Sequence, residues 1–280
     1  MMHEVQLQWI RNLQEALRSS WMDGFFKAWN FVDTAYFSII AISLVWYLWD
    51  RRIGIRLFYI LVISLVLNKL LKSLFDQPRP CQVDPLVGIL CSASPGFPSG
   101  AAQTAAIFCG VVFIECRRPL YRWMALAFAF FLCFSRVYLG VHYPTDILGG
   151  LVVGSLLLVM YAKIFPLFQK IWKVAAIAFP FLLLFLGLVV SMSSFWVFYL
   201  FFSTLGIAVG LMTYAKQGIQ KVETLRMRGW QTLIVIVGLC ILFVMEQLLP
   251  SLEILWSFGE GYWLSFLGGC VAKERRLFTK

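Results

Sequence analysis

Charge is scarce in this chain, since only 14% of its 280 residues are Asp, Glu, Lys or Arg. A soluble domain averages about 25% charged and about 45–50% apolar residues, whereas 61% of this chain is apolar. The composition therefore excludes an ordinary soluble domain. Long apolar runs between short charged clusters predict an all-α fold, a polytopic transmembrane helical bundle, because a backbone in lipid must satisfy its own hydrogen bonds. The runs are too long and too evenly apolar for barrel strands.

The N-terminus lacks a basic stretch followed by an apolar one, so no cleavable signal peptide is expected. Residues 5–18 instead space four apolar side chains along one helical face, namely Trp9, Ile10, Leu13 and Leu17. This spacing predicts an amphipathic helix that lies in the membrane interface. We therefore interpret residues 1–30 as an interfacial N-terminal segment.

About nine stretches are apolar enough to be spans, and a full crossing needs roughly 17–25 residues. The third, fourth and ninth stretches are close to the short limit, so their ends are less well defined. The nine are residues 31–49, 55–75, 100–115, 120–136, 146–166, 174–192, 195–214, 230–249 and 256–272.

Basic residues set the expected orientation. The net charge of +10 would suit a nucleic-acid-binding protein if the chain were soluble. Here most Lys and Arg residues lie in segments that face the cytoplasm when the N-terminus is outside, which is the usual bias of membrane proteins. The bias predicts a cytoplasmic C-terminus, and no nucleic-acid partner is expected.

Two pairs of glycines lie four residues apart within predicted spans. They are Gly150 with Gly154, and Gly206 with Gly210. Small residues at this spacing let helices approach closely, so we expect them to serve packing.

Three polar clusters fall at span ends that this topology places on the outer side. The first runs from Lys72 to Pro80, the second is Pro98–Ala101, and the third runs from Ser135 to Asp146. They are separated by up to two membrane crossings, yet one topology brings all three to the same surface. The clusters therefore predict one composite site.

The residue types in these clusters suit a phosphoryl group. Lys72, Arg79 and Arg136 supply three cationic donors for its oxygens. Ser99 and Gly100 begin a helix, where free backbone N–H groups and the helix dipole attract an anion. We therefore predict a phosphate site at the outer rim of the bundle.

Histidine is nearly absent, because the chain has only two and His3 lies near the terminus. His142 is therefore the candidate nucleophile. Pro144 suits the first turn of a helix, which places Asp146 within that turn. Asp146 could then accept a hydrogen bond from one ring nitrogen and leave the other free to attack phosphorus. The alternative is a structural His–Asp pair or an interfacial anchor.

These residues resemble the type 2 phosphatidic acid phosphatase superfamily, whose pattern is Lys-x6-Arg-Pro, then Pro-Ser-Gly-His, then Ser-Arg-x5-His-x3-Asp. Ten positions between 72 and 146 match it. The resemblance implies a phosphohistidine on His142, oriented by Asp146, and neither metal nor cofactor. From the resemblance together with the span count, we expect a six-helix phosphatase core plus three C-terminal helices. We assign residues 31–170 to the phosphatase-like core and residues 171–280 to additional C-terminal transmembrane helices. The phosphate-binding residues that the resemblance implies are Lys72, Arg79, Ser99, Gly100 and Arg136.

Ala101 departs from the family pattern, which has histidine there to protonate the leaving oxygen. A methyl group cannot transfer a proton, and general acid catalysis typically contributes about 10²–10⁴-fold. Three interpretations stay open: an engineered substitution, a natural pseudoenzyme, or an enzyme whose leaving group needs little protonation, such as a diphosphate. Asp76 and Asp84 are the nearby outer carboxylates that could replace the acid, although surface solvation is the simpler role for Asp84.

The resemblance implies a lipid phosphate or diphosphate substrate, such as undecaprenyl diphosphate, phosphatidate or phosphatidylglycerophosphate, that enters sideways from the bilayer. It also implies a bacterial inner membrane with a periplasmic site, or an endoplasmic reticulum membrane with a lumenal one. The runner-up is a hydrolase of a soluble phosphate ester, because nine spans with this orientation are similar to glucose-6-phosphatase. An inactive phospholipid-binding protein is the third possibility.

A transporter is disfavoured, because transporters usually carry ionisable groups near the bilayer midplane. Asp33, Glu115 and Glu246 lie toward predicted span ends, where we interpret them as ordinary interfacial residues.

Two of the seven cysteines, Cys81 and Cys91, bracket a loop on the outer side. That side is oxidising in bacteria and in the endoplasmic reticulum, so we predict a disulfide that braces the loop. The other five lie in or beside spans, where cysteine packs as a small apolar group.

Overall fold

A computed structural model describes residues 2–165, 171–189, 194–217, 224–268 and 270. Within these ranges all regular elements are helical, so the predicted all-α fold is confirmed. The helices are α1 (Met2–Leu17), α2 (Ser20–Ala28), α3 (Ala35–Leu44), α4 (Arg51–Phe75), α5 (Pro80–Val83), α6 (Gly100–Glu115), α7 (Pro119–Tyr138), α8 (Pro144–Lys163), α9 (Trp172–Val189), α10 (Ser194–Gln217), α11 (Leu225–Leu248) and α12 (Glu253–Tyr262).

Short irregular helices extend three of these elements. A 3₁₀ helix, Trp29–Asp33, follows α2, and π-helical turns continue α3 through Val45–Trp49 and α12 through Trp263–Leu267. The last predicted span ran to residue 272, and its end lies outside the described residues. So do six of the basic residues used to orient the chain, namely Lys170, Lys221, Lys273, Arg275, Arg276 and Lys280.

The described helices include five that are long and apolar enough to cross a bilayer, or six if Ser20–Asp33 and Ala35–Trp49 count as one bent span. The chain is an integral membrane protein. Helix α6 is shorter: its 16 residues extend about 24 Å at 1.5 Å per residue, against a hydrocarbon core of about 30 Å. A helix therefore coincides with each predicted stretch, while the count of nine full crossings stays a prediction.

The chain forms two compact units, residues 1–39 with 57–165, and residues 40–56 with 166–280. The predicted boundary after residue 170 lies close to this division, but residues 40–56 group with the C-terminal helices. The reason is local: the hydroxyl of Tyr47 donates to the carbonyl of Leu264 (2.6 Å), and the guanidinium of Arg51 lies over the ring of Tyr214.

Glycines allow the close helix contacts that their spacing predicted. A Cβ on Gly150 of α8 would lie 2.4 Å from the carbonyl oxygen of Ser99, and one on Gly154 would lie 2.7 Å from the Cβ of Ala106 on α6. Since side chains do not approach backbone atoms this closely, glycine is required where α8 crosses the start of α6. This crossing holds the beginning of α6 beside the beginning of α8.

Helix α1 packs on the first unit rather than standing apart from it. Leu7 and Ile10 are buried in a cluster with Val87 and Tyr143, while Trp9 is 62% exposed. One part of the predicted apolar face, at Ile10, is therefore buried in the protein, and another part, at Trp9, is exposed. The placement of this helix in the membrane interface stays a prediction.

Polar contacts add to this docking of α1. The side-chain amide of Gln14 donates to the carbonyl oxygens of Val87 (2.9 Å) and Tyr138 (2.7 Å), and the ring of His3 stacks on that of Tyr143 at 4.7 Å. Both carbonyls are buried with this amide, so they need it as a donor. Helix α1 thus covers the loop that precedes α8.

Candidate active site

The three predicted polar clusters converge at one end of the first unit. The backbone N–H of Ser99 donates to the carbonyl of Asp146 (3.0 Å), which joins the second cluster to the third. The Nη1 atom of Arg79 lies 3.2 Å from Nε2 of His142, which joins the first cluster to the third. The backbone N–H of His142 donates to the carbonyl of Arg136 at 3.3 Å.

His142 and Asp146 form a buried pair at the start of α8. The Nδ1 atom of His142 lies 3.2 Å from Oδ2 of Asp146, and that oxygen also accepts from the backbone N–H of Tyr143 at 2.9 Å. Pro144 occupies the first turn, so the helix begins where the carboxylate can cap it. The spacing of four residues places the ring over the carboxylate.

The contacts of His142 select one tautomer. A guanidinium can only donate, so Arg79 donates to Nε2, which must carry a lone pair. The proton therefore resides on Nδ1 and is donated to Asp146. Burial is the main cause that lowers the pKa of His142 to about 4; the hydrogen bond to Asp146 opposes it, and the positive charges of Arg79 and Lys72 add to it. The ring is thus neutral at pH 7, with Nε2 unprotonated.

Arg79 is held in place by the loop that follows it. Its Nε donates to the carbonyl of Ser94 (2.6 Å), its Nη2 donates to the hydroxyl of the same residue (2.9 Å), and its Nη1 also donates to the carbonyl of Val141 (2.9 Å). A disulfide joins Cys81 to Cys91 across this loop, with their Cα atoms 5.7 Å apart. The loop therefore fixes the guanidinium against the imidazole.

Lys72 reaches the same loop from the last turn of α4. Its ammonium donates to the carbonyls of Pro95 and Gly96. A Cβ on Gly96 would lie 3.1 Å from Oδ2 of Asp146, so this loop runs directly past the carboxylate. The ammonium, the loop and the His–Asp pair are therefore neighbours.

Helix α6 begins at the site, so the backbone N–H groups of its first turn lie there. Ser99 is the N-cap, and its hydroxyl accepts from the N–H of Ala102. A Cβ on Gly100 would lie 3.2 Å from Oδ1 of Asn68, whose amide donates to the carbonyl of Pro98. Glycine therefore leaves room for the amide that holds the turn before α6. This N-terminus is able to accept an anion.

Arg136 is buried and lies against the segment between α2 and α3. Its Nη1 donates to Oδ1 of Asn30 (2.9 Å) and to Oδ2 of Asp33 (3.2 Å), and its Nε donates to the hydroxyl of Ser135 (3.1 Å). Its Nη2 has no hydrogen-bond partner within the described part of the chain. One donor of this guanidinium is therefore available to an anion.

Asp84 was considered from sequence as a substitute acid, and its contacts argue against that role. Its carboxylate accepts from Arg11 at 2.9 and 2.6 Å and from the N–H of Leu86 at 3.0 Å. The Arg11 hydrogen bond, then the backbone one, lowers the pKa of Asp84. A carboxyl group that stays ionised is a poor proton donor. Asp76, the other carboxylate considered, is exposed beyond the end of α4.

Sequence reasoning missed four residues that contact the predicted site: Asn30, Asp33, Asn68 and Ser94. Asp33 was interpreted as an ordinary interfacial residue, yet its carboxylate pairs with Arg136. A carboxylate at the end of an apolar span was the available signal, since such groups usually have a function or a partner. The other three are common polar residues, and their contacts depend on irregular segments that no sequence pattern predicts.

Residues 53–170 match the sequence model of the PAP2 superfamily. The match covers 118 of the 280 residues and agrees with the resemblance of the three motifs. An undecaprenyl-diphosphatase of Sulfolobus acidocaldarius is 34% identical over 110 residues, which cover 38% of this chain and 52% of the relative. A glucose-6-phosphatase catalytic subunit 1 of Canis lupus familiaris is 28% identical over 159 residues, which cover 46% of this chain and 43% of the relative.

The fold of the chain also matches a solved structure. The crystal structure of a transmembrane PAP2-type phosphatidylglycerolphosphate phosphatase from Bacillus subtilis superposes with a TM-score of 0.50 and 24% identity, over 60% of this chain and 88% of the other. The chain spans about half the length of the curated relatives it matches. The likeness to the solved structure shows a shared fold and leaves activity and substrate as proposals.

Proposed function

We propose that this chain is a membrane phosphatase that hydrolyses a lipid phosphate or diphosphate through a phosphohistidine on His142. One observation carries the proposal: Nε2 of the buried His142 holds a lone pair 3.2 Å from a guanidinium, while Asp146 holds the opposite nitrogen. A lone pair beside a fixed cation is the arrangement that in-line attack on a phosphoryl group requires.

The reaction has two steps. The Nε2 lone pair attacks phosphorus, and the bond from phosphorus to the leaving oxygen breaks. Water then attacks the phosphohistidine and releases phosphate. Asp146 stabilises the positive charge that develops on the ring in the first step, as an orienting carboxylate does in other nucleophile–histidine sites.

The phosphoryl oxygens would be bound by the groups that surround His142. Arg79 stands beside Nε2, Arg136 has a free Nη2, and Lys72 carries its charge from α4. The backbone N–H of Gly100 completes the set at the start of α6, whereas the N–H of Ser99 already donates to the carbonyl of Asp146. Fixed donors of this kind stabilise the charge on the transferring group without reorganising.

The substrate class is inferred from the location of the site and from the relatives. Site residues lie at helix ends of an integral membrane protein, where a headgroup meets the protein while its chains stay in lipid. Relatives include proteins named undecaprenyl-diphosphatase, lipid A 1-phosphatase and phosphatidylglycerophosphatase B. We infer a bacterial inner membrane, with the site on the periplasmic side and the C-terminus in the cytoplasm.

Phosphate release from a lipid panel tests the activity. Purified protein in lipid nanodiscs is expected to hydrolyse at least one of undecaprenyl diphosphate, phosphatidate and phosphatidylglycerophosphate. Mass spectrometry after rapid quenching at alkaline pH should find the phosphoryl group on the peptide that contains His142. A His3→Gln variant is the matched control, because His3 is the second of only two histidines. Retention of lipid without phosphate release, or label on His3, would contradict the proposal.

A soluble phosphate ester is the second candidate substrate, because glucose-6-phosphatases match the same half of the chain. Turnover of a sugar phosphate that exceeds turnover of every lipid in the panel would favour that function. The reacting residues would be the same in both cases.

Orientation is tested by labelling from outside the cell. In a chain whose free cysteines are replaced by serine, Gln8→Cys should react with an impermeant maleimide, since Gln8 is exposed on α1 beside the site. Arg118→Cys, in the link between α6 and α7, should be protected until the cells are permeabilised. The reverse pattern would invert the topology.

A further inference from the structure

Position 101, on α6, carries a buried methyl group that cannot donate a proton. The side chain of Ala101 is 1% exposed and packs in a cluster with Ala105 and Leu132. Trp29 and Val32, from the 3₁₀ segment Trp29–Asp33, pack against this cluster. The segment that precedes α3 therefore covers position 101, where the family pattern has a histidine.

The last residue of that segment is a carboxylate. Oδ2 of Asp33 lies 3.2 Å from Nη1 of Arg136. The Asp33 side chain is 32% accessible, whereas that of Arg136 is 3% accessible. The carboxylate is therefore the more accessible member of this ion pair.

The carboxyl group of Asp33 is influenced most by its burial, and the positive charges of Arg136, Arg79 and Lys72, in decreasing order, oppose that effect. These three cations are the ones assigned to the proposed phosphate site. Of the three, Arg136 is in direct contact with Asp33, at 3.2 Å. A phosphoryl group bound by Arg136 would therefore lie beside this carboxyl group.

We propose that Asp33 is the catalytic proton donor and acceptor of this enzyme, in the place of the family histidine at position 101. The proposal rests on the phosphatase function proposed above. It adds a residue from outside the family motifs to the reaction. Asn30 also binds Arg136 but carries no transferable proton, so it serves as the natural comparison.

The proton balance closes over two steps. The free site pairs ionised Asp33 with Arg136. A bound phosphate competes for that cation, and Asp33 takes up the proton of the phosphate monoanion, because two anions beside one cation disfavour each other. When Nε2 of His142 attacks phosphorus, the electron pair of the breaking P–O bond goes to the leaving oxygen, which takes the proton from Asp33.

The second step restores the starting state. Water attacks phosphorus and gives a proton to Asp33, while the electron pair of the P–N bond returns to Nε2 of His142. Asp33 then passes this proton to the departing phosphate, which leaves as the monoanion, and the carboxylate pairs with Arg136 again. Water is the only additional reactant. The same group thus serves as acid and then as base, as microscopic reversibility requires.

Leaving-group dependence separates proton transfer from a structural role. The test compares Asp33→Asn with the wild type on an alkyl phosphate, whose leaving oxygen needs a proton, and on p-nitrophenyl phosphate, whose leaving oxygen does not. Asn keeps an acceptor for Arg136. We expect kcat/KM for the alkyl ester to fall about 10²–10³-fold, within the usual range of general acid catalysis, while the aryl ester changes less than about threefold.

A second variant sharpens the test. Asn30→Ala weakens the hold on Arg136 without removing a proton donor, so it should lower kcat/KM for both esters by the same factor. An equal loss of kcat/KM on both esters in Asp33→Asn would overturn the proposal.

The unaltered protein provides a measurement that does not depend on a variant folding. Across alkyl and aryl phosphates, kcat/KM of the wild type should depend weakly on leaving-group pKa, because Asp33 protonates the poor leaving groups. A steep dependence would refute the role of Asp33 while leaving the phosphatase function intact. No hydrolysis of any ester or lipid would instead refute the phosphatase function itself.

Discussion

The charge of Asp146 offers the sharpest quantitative test of the site. Asp146→Asn keeps an oxygen that can accept from both Nδ1 of His142 and the N–H of Tyr143, because one carboxylate oxygen serves both contacts. The substitution therefore removes charge and leaves the geometry in place. Its effect measures how much the carboxylate stabilises the ring as phosphorus bonds to Nε2.

The magnitude is set by the 3.2 Å separation of Nδ1 and Oδ2. Coulomb's law with an effective dielectric constant of about 20 gives about 5 kcal/mol for unit charges at this distance. The ring is neutral before attack and becomes positive as the phosphohistidine forms, so most of this energy appears only in the transition state. We expect kcat to fall about 10³-fold, with little change in KM.

Steady-state hydrolysis of the preferred lipid in nanodiscs measures this effect. Thr145→Val is the matched control, because Thr145 lies beside Asp146 and bonds Gln6 rather than the ring; it should stay within about twofold of the wild type, as surface substitutions usually do. A loss below about tenfold in Asp146→Asn would refute the electrostatic reasoning. An equal loss in the control would mean that local packing causes the effect.

Three further predictions concern the site and its supports. Burial lowers the pKa of His142 to about 4, so kcat/KM should fall as pH decreases through about 4 and not through the ordinary value near 6.5; the stability contributed by this neutral ring is present above about 6.5 and is lost toward pH 4. Replacing Cys81 and Cys91 by serine opens the loop that holds Arg79, and should cost about 2–3 kcal/mol of unfolding free energy and raise KM, measured by thermal melts and kinetics. Gly150→Ala places a Cβ 2.4 Å from a backbone carbonyl, so it should lower Tm and activity together by forcing α8 away from α6.

Each of these has a control or a contradicting result. An acid limb near pH 6.5 would show that His142 is more solvated than its contacts indicate. Unchanged KM in the double serine variant would separate the disulfide from the placement of Arg79. Gly24→Ala is the control for Gly150→Ala, because a Cβ on Gly24 meets nothing within 4 Å; it should preserve or raise Tm, since alanine favours helix more than glycine.

The His142–Asp146 pair was predictable because its geometry is local. Pro144 favours a helix start that makes Tyr143 the N-cap, and the side chain of Asp146 in the first turn then reaches back toward the N-cap and the adjacent His142. The convergence of Arg79 and Arg136 on the same end was predictable from topology alone. The contacts of each guanidinium were not, since they depend on irregular segments, with Ser94 in one and Asp33 in the other.

Span counting was less informative than motif spacing. Apolar stretches located the helices, because helix formation in an apolar run is dictated by the backbone. They did not determine which helices cross the bilayer: α6 is too short to cross alone, and its buried start is held by α8 rather than by lipid. Hydropathy does not distinguish burial in protein from burial in lipid. The grouping of residues 40–56 with the C-terminal helices depended on contacts of Tyr47 and Arg51 that have no sequence pattern.

The docking of α1 determines the shortest fragment of this protein that keeps the site supported. The PAP2 match begins at residue 53, so a fragment designed on that match would omit α1. Val87 and Tyr143 would then lose their apolar cover, and the carbonyls of Val87 and Tyr138 would lose the amide of Gln14. Tyr143, the residue next to His142, would then be exposed on one side. An expression fragment of this protein should therefore retain the first helix, although no family motif lies within it.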